Sequence, residues 1–196
     1  MAQLPLATAQ AVTAEVKRRL IFVGSDGRRR NFVVIPVGSV RRQAPWVKDI
    51  DFLVVAPASE ADWALAAATL RPPRAGDVIS FGGSSAAGPR RRSLTLRAEG
   101  RRTAVQHYRA DFFITTAAEK PYALYHFTGP KEYNIRIRAH TKRRGWRLNQ
   151  YGLFNVVTGG RVPGSNVRSE KALSEFIGVT YRPPQSRGVA ELHRTA

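Results

Sequence analysis

Apolar and polar positions give the two ends of the chain different textures. Upstream, short apolar runs rich in β-branched residues predict strands over residues 32–37, 49–56, 78–81, 93–98 and 103–115, with Pro36 marking an edge or a strand end. The run that follows Asp49 reads as the central strand. Residues 8–20 mix small and apolar positions and end in Lys17-Arg18-Arg19, cations that suit a helix C-terminus. An alanine-rich stretch from Ser59-Glu60 to Leu70, stopped by Pro72-Pro73, predicts a second helix. Gly24-Ser25-Asp26-Gly27 marks a turn, and residues 82–92 a Gly- and Ser-rich connector with a basic end. That connector is either solvated or a phosphate contact.

The texture changes near Glu119-Lys120-Pro121. Helices are expected at residues 120–127 and 132–144, then an extended stretch over 146–154, a Gly-rich turn, and a short helix from Ser169-Glu170 to Ile177. The polar end from about Pro183 reads as frayed. The expectation is a mixed α+β fold: a central β-sheet over residues 1–118 and an α-rich C-terminal subdomain over residues 119–196.

Charge narrows the partners. The 196 residues carry 32 Lys and Arg against 14 Asp and Glu, a net charge of +18. Residues 120–196 contribute 14 basic and 4 acidic residues, and residues 1–119 contribute 18 and 10, so both parts share the excess. Clustered cations point to a polyanion, nucleic acid before anionic membrane. No apolar run is long enough to span a bilayer, and the N-terminus lacks the basic start of a signal peptide. The absence of cysteine excludes disulfides and thiolate metal sites and fits an intracellular protein.

The candidate chemistry lies in Val37-Gly38-Ser39-Val40-Arg41-Arg42 and Asp49-Ile50-Asp51. A strand, a Gly-Ser turn and a helix start offer free N–H groups, a hydroxyl and a guanidinium to phosphate. In a strand, Asp49 and Asp51 point the same way, and adjacent carboxylates repel unless a cation sits between them. Alone, the pair fits two solvated acids as well as a metal seat. Asp111, in an apolar strand, is a strand-end acid or a third carboxylate for the same site. Three carboxylates suit Mg²⁺, a hard ion that takes oxygen ligands.

These motifs continue in Glu119-Lys120-Pro121-Tyr122-Ala123, His126-Phe127-Thr128-Gly129-Pro130, Ile135-Arg136-Ile137-Arg138-Ala139 and Leu148-Asn149-Gln150-Tyr151-Gly152-Leu153-Phe154. In that order, over residues 37 to 182, the chain resembles family X of the DNA polymerases, the polymerase-beta-like group, and its minimal viral members above all. The resemblance implies a nucleotidyltransferase palm up to about residue 118. The nucleotide-selecting subdomain would follow, with no room for an N-terminal lyase domain before Gly38. It implies a template-directed polymerase that adds dNTPs to a primer 3′-hydroxyl and fills short gaps in base-excision repair. It would act as a monomer on gapped or primer–template DNA, within a cell, or in a virion or host cytoplasm if viral.

Asp49, Asp51 and Asp111 would then hold two Mg²⁺ ions, with Mn²⁺ able to replace them. Gly38, Ser39 and Arg42 would hold the triphosphate. Phe127, Thr128 and Gly129 would form the sugar side of the pocket, His126 would be a further nucleotide contact, and Asn134 would face the base. DNA contacts would fall to Lys17, Arg18, Arg19, Lys48, Lys131, Arg136, Arg138, Lys142, Arg143 and Arg144. His126 stands where many relatives have Tyr, so sugar discrimination does not carry over. Pro130 makes a cis peptide after Gly129 an expectation. A template-independent or RNA-directed nucleotidyltransferase, or a non-catalytic nucleic-acid-binding protein, are the alternative readings.

Overall fold

The computed structural model describes residues 3–23, 26–57, 59, 68–70, 79–86, 90–100 and 103–187. In chain order the first elements are β1 (Leu4–Pro5), α1 (Leu6–Arg19), β2 (Leu20–Val23), β3 (Arg29–Arg30), β4 (Val33–Pro36), α2 (Gly38–Arg41), β5 (Trp46–Val47) and β6 (Ile50–Val55). Then come β7 (Ala68–Leu70), β8 (Ile79–Ala86), β9 (Arg91–Gly100) and β10 (Thr103–Thr115). The C-terminal part holds α3 (Lys120–Thr128), α4 (Lys131–Arg143), β11 (Trp146–Asn149), β12 (Gly152–Asn155) and α5 (Glu170–Phe176). The fold is α+β.

The main sheet runs β4-β6-β10-β9-β8. Strand β10 takes the centre, because β6 and β9 both pair with it; the Asp49 run, expected there, lies one place off. Asp49 itself precedes β6. β4 is an edge strand, so Pro36, which has no N–H to donate, interrupts no ladder.

Alternation along the strands decides what each sheet face does. Ile50, Phe52 and Val54 of β6 and Ala110, Phe112 and Ile114 of β10 point into one core, with Phe52 stacked on Phe112 at 4.9 Å. Ala9, Val12 and Val16, at helical spacing on α1, cover that face. The intervening residues, Asp51 and Leu53 on β6 and Asp111 and Phe113 on β10, therefore face the other way. On that side Leu53, Val37 and Ala123 form a small apolar cluster with Phe113 and Phe127, which joins the sheet to α3.

The C-terminal part has its own core, built on Tyr122, Tyr125, Tyr133, Ile137, Leu153, Leu173 and Ile177. Pro121 sits in the first turn of α3, where a missing N–H costs nothing, and Gly129, with φ of 65°, ends the helix. Ser169 caps α5 by accepting a hydrogen bond from the Ala172 N–H at 3.0 Å. Asn149 closes the β11–β12 hairpin by accepting from the N–H groups of Tyr151 and Gly152. Among the described residues no helix is long and apolar enough to cross a membrane.

Other expectations change too: residues 146–154 form two strands and not one extended run, and the end from Pro183 is held by the buried Arg187. Most of the alanine-rich helix lies outside the described residues, but its last three, Ala68–Leu70, form β7 and pair with Leu20, Ile21 and Phe22. Helix propensity is worth tenths of a kcal/mol per residue, and an available strand edge overrides it. The connector at residues 82–92 is shorter than expected. β8 continues to Ala86 and β9 starts at Arg91, with a register shift between Phe81 and Gly83, where glycine relaxes the strand.

A buried ion network ties the two parts together. Arg41 Nη2 lies 2.5 Å from Glu170 Oε2, and Arg187 Nη2 lies 2.9 Å from Glu170 Oε1. Arg187 is fully buried, with its guanidinium over the rings of Tyr125 and Tyr133. Removing one partner of such a network leaves a buried charge uncompensated. Glu170→Ala is expected to lower unfolding free energy by about 3–5 kcal/mol in urea titrations; an unchanged midpoint would contradict the pairing.

Candidate active site

The strand register builds the acid cluster. Asp51 on β6 is directly opposite Asp111 on β10, and Asp111 is opposite Ser93 on β9. All three point to the face away from α1, and Asp49 joins them from the residue before β6. Asp111 is only 2% exposed. Its Oδ1 accepts from the Ser93 hydroxyl, and its Oδ2 lies 3.2 Å from Arg91 Nη2 and 3.1 Å from Arg109 Nε. Arg109 also reaches Asp49 Oδ2, at 3.2 Å from Nη2. Asp49 Oδ1 is buried with no hydrogen-bond partner.

Asp51 carries the strain of this crowding. Burial first, then the charges of Asp111 and Asp49, push its carboxyl up to about 7. At neutral pH the cluster thus lacks enough positive charge to ionise Asp51 fully. Among the described residues no three potential ligands are already gathered at metal-holding spacing; the Arg109 guanidinium stands between two of the acids. The donor set itself fits a hard divalent cation: carboxylate oxygens only, one of them unpartnered and one carboxyl unwilling to ionise.

Next to the acids, Gly38 opens α2 with φ of 59°. A Cβ there would fall 2.3 Å from Asp51 Oδ2, so only glycine lets the turn lie against the carboxylate. Arg42 Nη2 is 3.2 Å from the Ser39 hydroxyl, and its Nη1 donates to the Thr128 carbonyl. These residues border a cavity of about 510 Å³. Its floor is Gly38, Ser39, Arg42 and Asp51. Its far wall is Phe113, His126, Phe127, Gly129, Pro130, Lys131, Asn134 and Arg138.

That wall is pre-formed. Phe127 stacks on Phe113 at 4.1 Å. The Asn134 side chain donates to the His126 carbonyl at 2.7 Å. His126 Nδ1 lies 2.5 Å from Arg138 Nη2. Burial and then the Arg138 charge lower the His126 pKa to about 4, so the neutral imidazole accepts from the guanidinium. The Gly129–Pro130 peptide is cis, as its sequence suggested.

Several expected residues lie elsewhere. Thr128 is fully buried and outside the cavity lining; its hydroxyl accepts from Arg41 and its carbonyl from Arg42. Arg19 is 2% exposed and donates to Glu15 and to the Ile79 carbonyl, so it is a packing residue and not a DNA contact. Lys17 and Arg18 are exposed on α1, which packs against the opposite face of the sheet from the acids. Arg144 donates to the Ile177 carbonyl and covers Trp146. Lys48 is exposed beside Asp49, and Lys131 and Arg138 reach the cavity. Arg136, Lys142 and Arg143 are exposed on α4.

Sequence reasoning missed Ser93, Arg109 and Phe113, and read Arg91 only as the basic end of a connector. Their signal was available in the period of two. Arg109, Asp111 and Phe113 occupy alternate positions of β10, and Arg91 and Ser93 alternate positions of β9. What the sequence lacked was the β9–β10 register that sets one group opposite the other.

Comparison with known proteins bears on the family and the fold. Residues 123–188 match the family described as DNA polymerase beta thumb. The chain is 36% identical over 154 residues to Repair DNA polymerase X of African swine fever virus (isolate Tick/Malawi/Lil 20-1/1983), covering 79% of this chain and 80% of that protein. It is 32% identical over 150 residues to the DNA polymerase/3′-5′ exonuclease PolX of Bacillus subtilis (strain 168), covering 76% of this chain and 23% of that one. Among solved structures, Leishmania infantum polymerase beta in a ternary gap complex aligns with a TM-score of 0.67 at 19% identity. That alignment covers 96% of this chain and 71% of that chain.

The Asp51 carboxyl makes a pH prediction. A folded-state pKa raised from 3.8 to about 7 favours folding while the acid is protonated. That advantage is complete below the unfolded pKa and is lost as pH climbs through the folded one. In EDTA, Asp51→Asn should melt near the wild-type temperature at about pH 4 and above it at about pH 8. The same difference at both pH values would contradict the shift.

Proposed function

The chain belongs to family X of the DNA polymerases, and from that premise we propose how its residues carry the reaction. It is a DNA-directed DNA polymerase with a role in repair. The finer reading is template-directed filling of short gaps, by a monomer using dNTPs. The palm would end near residue 118 and the nucleotide-selecting subdomain would begin there. The observation that carries this reading is the shared face: Asp51 and Asp111 lie side by side with Asp49 next to them, and Asp51 borders one cavity with Gly38, Ser39 and Arg42.

DNA polymerases of this family use divalent metals. Here Asp49, Asp51 and Asp111 would hold two of them, Mg²⁺ or Mn²⁺. When bound, they supply positive charge to the attacking and leaving oxygens of an in-line phosphoryl displacement. The protein's own groups do the positioning. The N-terminal N–H groups of α2, the Ser39 hydroxyl and Arg42 would hold the triphosphate, with Lys131 adding charge from the opposite wall. Phe127, fixed by Phe113, would pack against the sugar, and Asn134 and the His126–Arg138 pair would flank the base. In the reaction the primer 3′-hydroxyl loses its proton to solvent as its oxygen bonds to the α-phosphorus, the bond to the bridging oxygen breaks, and pyrophosphate leaves. Arg91, Arg109 and Ser93 keep Asp111 in place until DNA and nucleotide arrive.

Primer extension on DNA with a one-nucleotide gap tests this reading. With Mg²⁺, the protein should add the nucleotide complementary to the template. Asp49→Asn should lower the rate by about 10²-fold or more, the scale of losing one preorganised charge-stabilising group. Addition that ignores the template base would overturn template direction. Full activity in Asp49→Asn would overturn the metal assignment.

A further inference from the structure

Strand β6 starts at Ile50, beside Ala110, whereas β10 reaches back to Thr103 and stays paired with β9. The β9–β10 hairpin therefore runs on past the acids as an arm, and its two faces differ. Leu94, Leu96, Tyr108 and Ala110 turn into the core that α1 covers. The alternate positions turn the other way, onto the face that carries Asp111. They form cross-strand rows: Asp111 opposite Ser93, then Arg109 opposite Thr95, then His107 opposite Arg97. Thr95, Arg97 and His107 are all exposed.

The order of these rows points to their partner. On one side of Asp111, next but one along β10, Phe113 stacks on Phe127 and borders the large cavity that the polymerase reading gives to the incoming nucleotide. The primer 3′-hydroxyl has to reach the same acids, so it comes from the other side, where the rows of Arg109 and His107 lie. We propose, resting on that polymerase reading, that Thr95, Arg97 and His107 form the seat of the primer strand and hold the phosphates behind its 3′ end. A hydroxyl, a guanidinium and an imidazole all donate hydrogen bonds to phosphate oxygens, and the sheet fixes their spacing before DNA arrives. His107 is four residues from Asp111, about 14 Å along a strand. A B-form strand advances about 3.4 Å per nucleotide, so this row meets the primer roughly four nucleotides from the acids. Because the primer end itself sits on this face, its own backbone lies over the rows, and the complement lies across the duplex.

Methylphosphonate substitution tests the seat, because it removes the charge of a phosphate and leaves the base pairs. DNA with a one-nucleotide gap is made intact, with methylphosphonates at the third to fifth primer phosphates from the 3′ end, or with the same change in the template strand paired to that stretch. Binding is followed by fluorescence anisotropy at several salt concentrations. The primer-substituted DNA should bind wild type about tenfold more weakly, the low end for hydrogen bonds to a charged group. The template-substituted DNA should bind as intact DNA does. Arg97→Gln, at an exposed position, should weaken intact DNA similarly, make the salt slope shallower by about one, and lose most of the primer effect. His107→Gln should also reduce the primer effect. Wild-type affinity indifferent to the primer change, an equal or larger loss from the template change, or an undiminished primer effect in both variants would overturn the proposal. Nucleotide addition to the intact DNA is scored in parallel. Addition without a primer effect refutes the seat alone, whereas absent addition refutes the polymerase reading and the seat with it.

Discussion

Mutual repulsion among Asp49, Asp51 and Asp111 is the constraint the rest of the structure serves. The register of β6 and β10 places two of these acids side by side, and the residue before β6 adds the third. Their surroundings supply what compensation the protein alone can give. Arg109 bridges Asp49 and Asp111, Arg91 approaches Asp111 from β9, and Ser93 donates to it. Even so, Asp51 stays reluctant to ionise. A buried site that keeps a charge deficit and an unpartnered carboxylate oxygen has a standing demand for cations. Stability alone would favour replacing such groups with apolar residues of similar volume.

The same face couples the acids to the C-terminal part. Neighbouring arginines on one turn split the work. Arg41 turns to Thr128 and Glu170, within a network that contains the fully buried Arg187. Arg42 turns to the cavity while donating to the Thr128 carbonyl. Phe113, next but one to Asp111, stacks on Phe127 of α3. A shift of the C-terminal part would therefore move the Arg42 guanidinium, the Phe127 ring and the acid-bearing strand together. This is the kind of linkage through which closure of one subdomain can complete a site on another.

Much of this was legible in the sequence where local rules apply. Pro36 marked an edge strand or a strand end, Ser169 a helix start, and Gly129-Pro130 a cis peptide; the run of motifs named the family. The β10 span was readable to the residue, because its apolar alternation is long. What escaped depended on partners distant in sequence. The true place of β10 at the sheet centre, the strand formed by Ala68–Leu70, and the burial of Arg19 against the Ile79 carbonyl follow from pairing and packing that no local window contains. The cations show the limit well. Lys17-Arg18-Arg19 reads as one basic cluster, yet helical geometry sends Arg19 inward and the other two into water. Arg109, unremarkable in sequence, and Arg91, read only as part of a basic connector, are the ones set against the acids.

The most direct test of this picture measures cation competition at the acids without DNA or activity. Free Mn²⁺, counted by electron paramagnetic resonance, can be titrated against wild type, Asp49→Asn and Arg109→Gln. If Arg109 fills part of the cation demand, removing its charge should tighten Mn²⁺ binding, and Asp49→Asn should weaken it. Mn²⁺ binding that is unchanged or weaker in Arg109→Gln, or unaffected by loss of Asp49, would contradict the account.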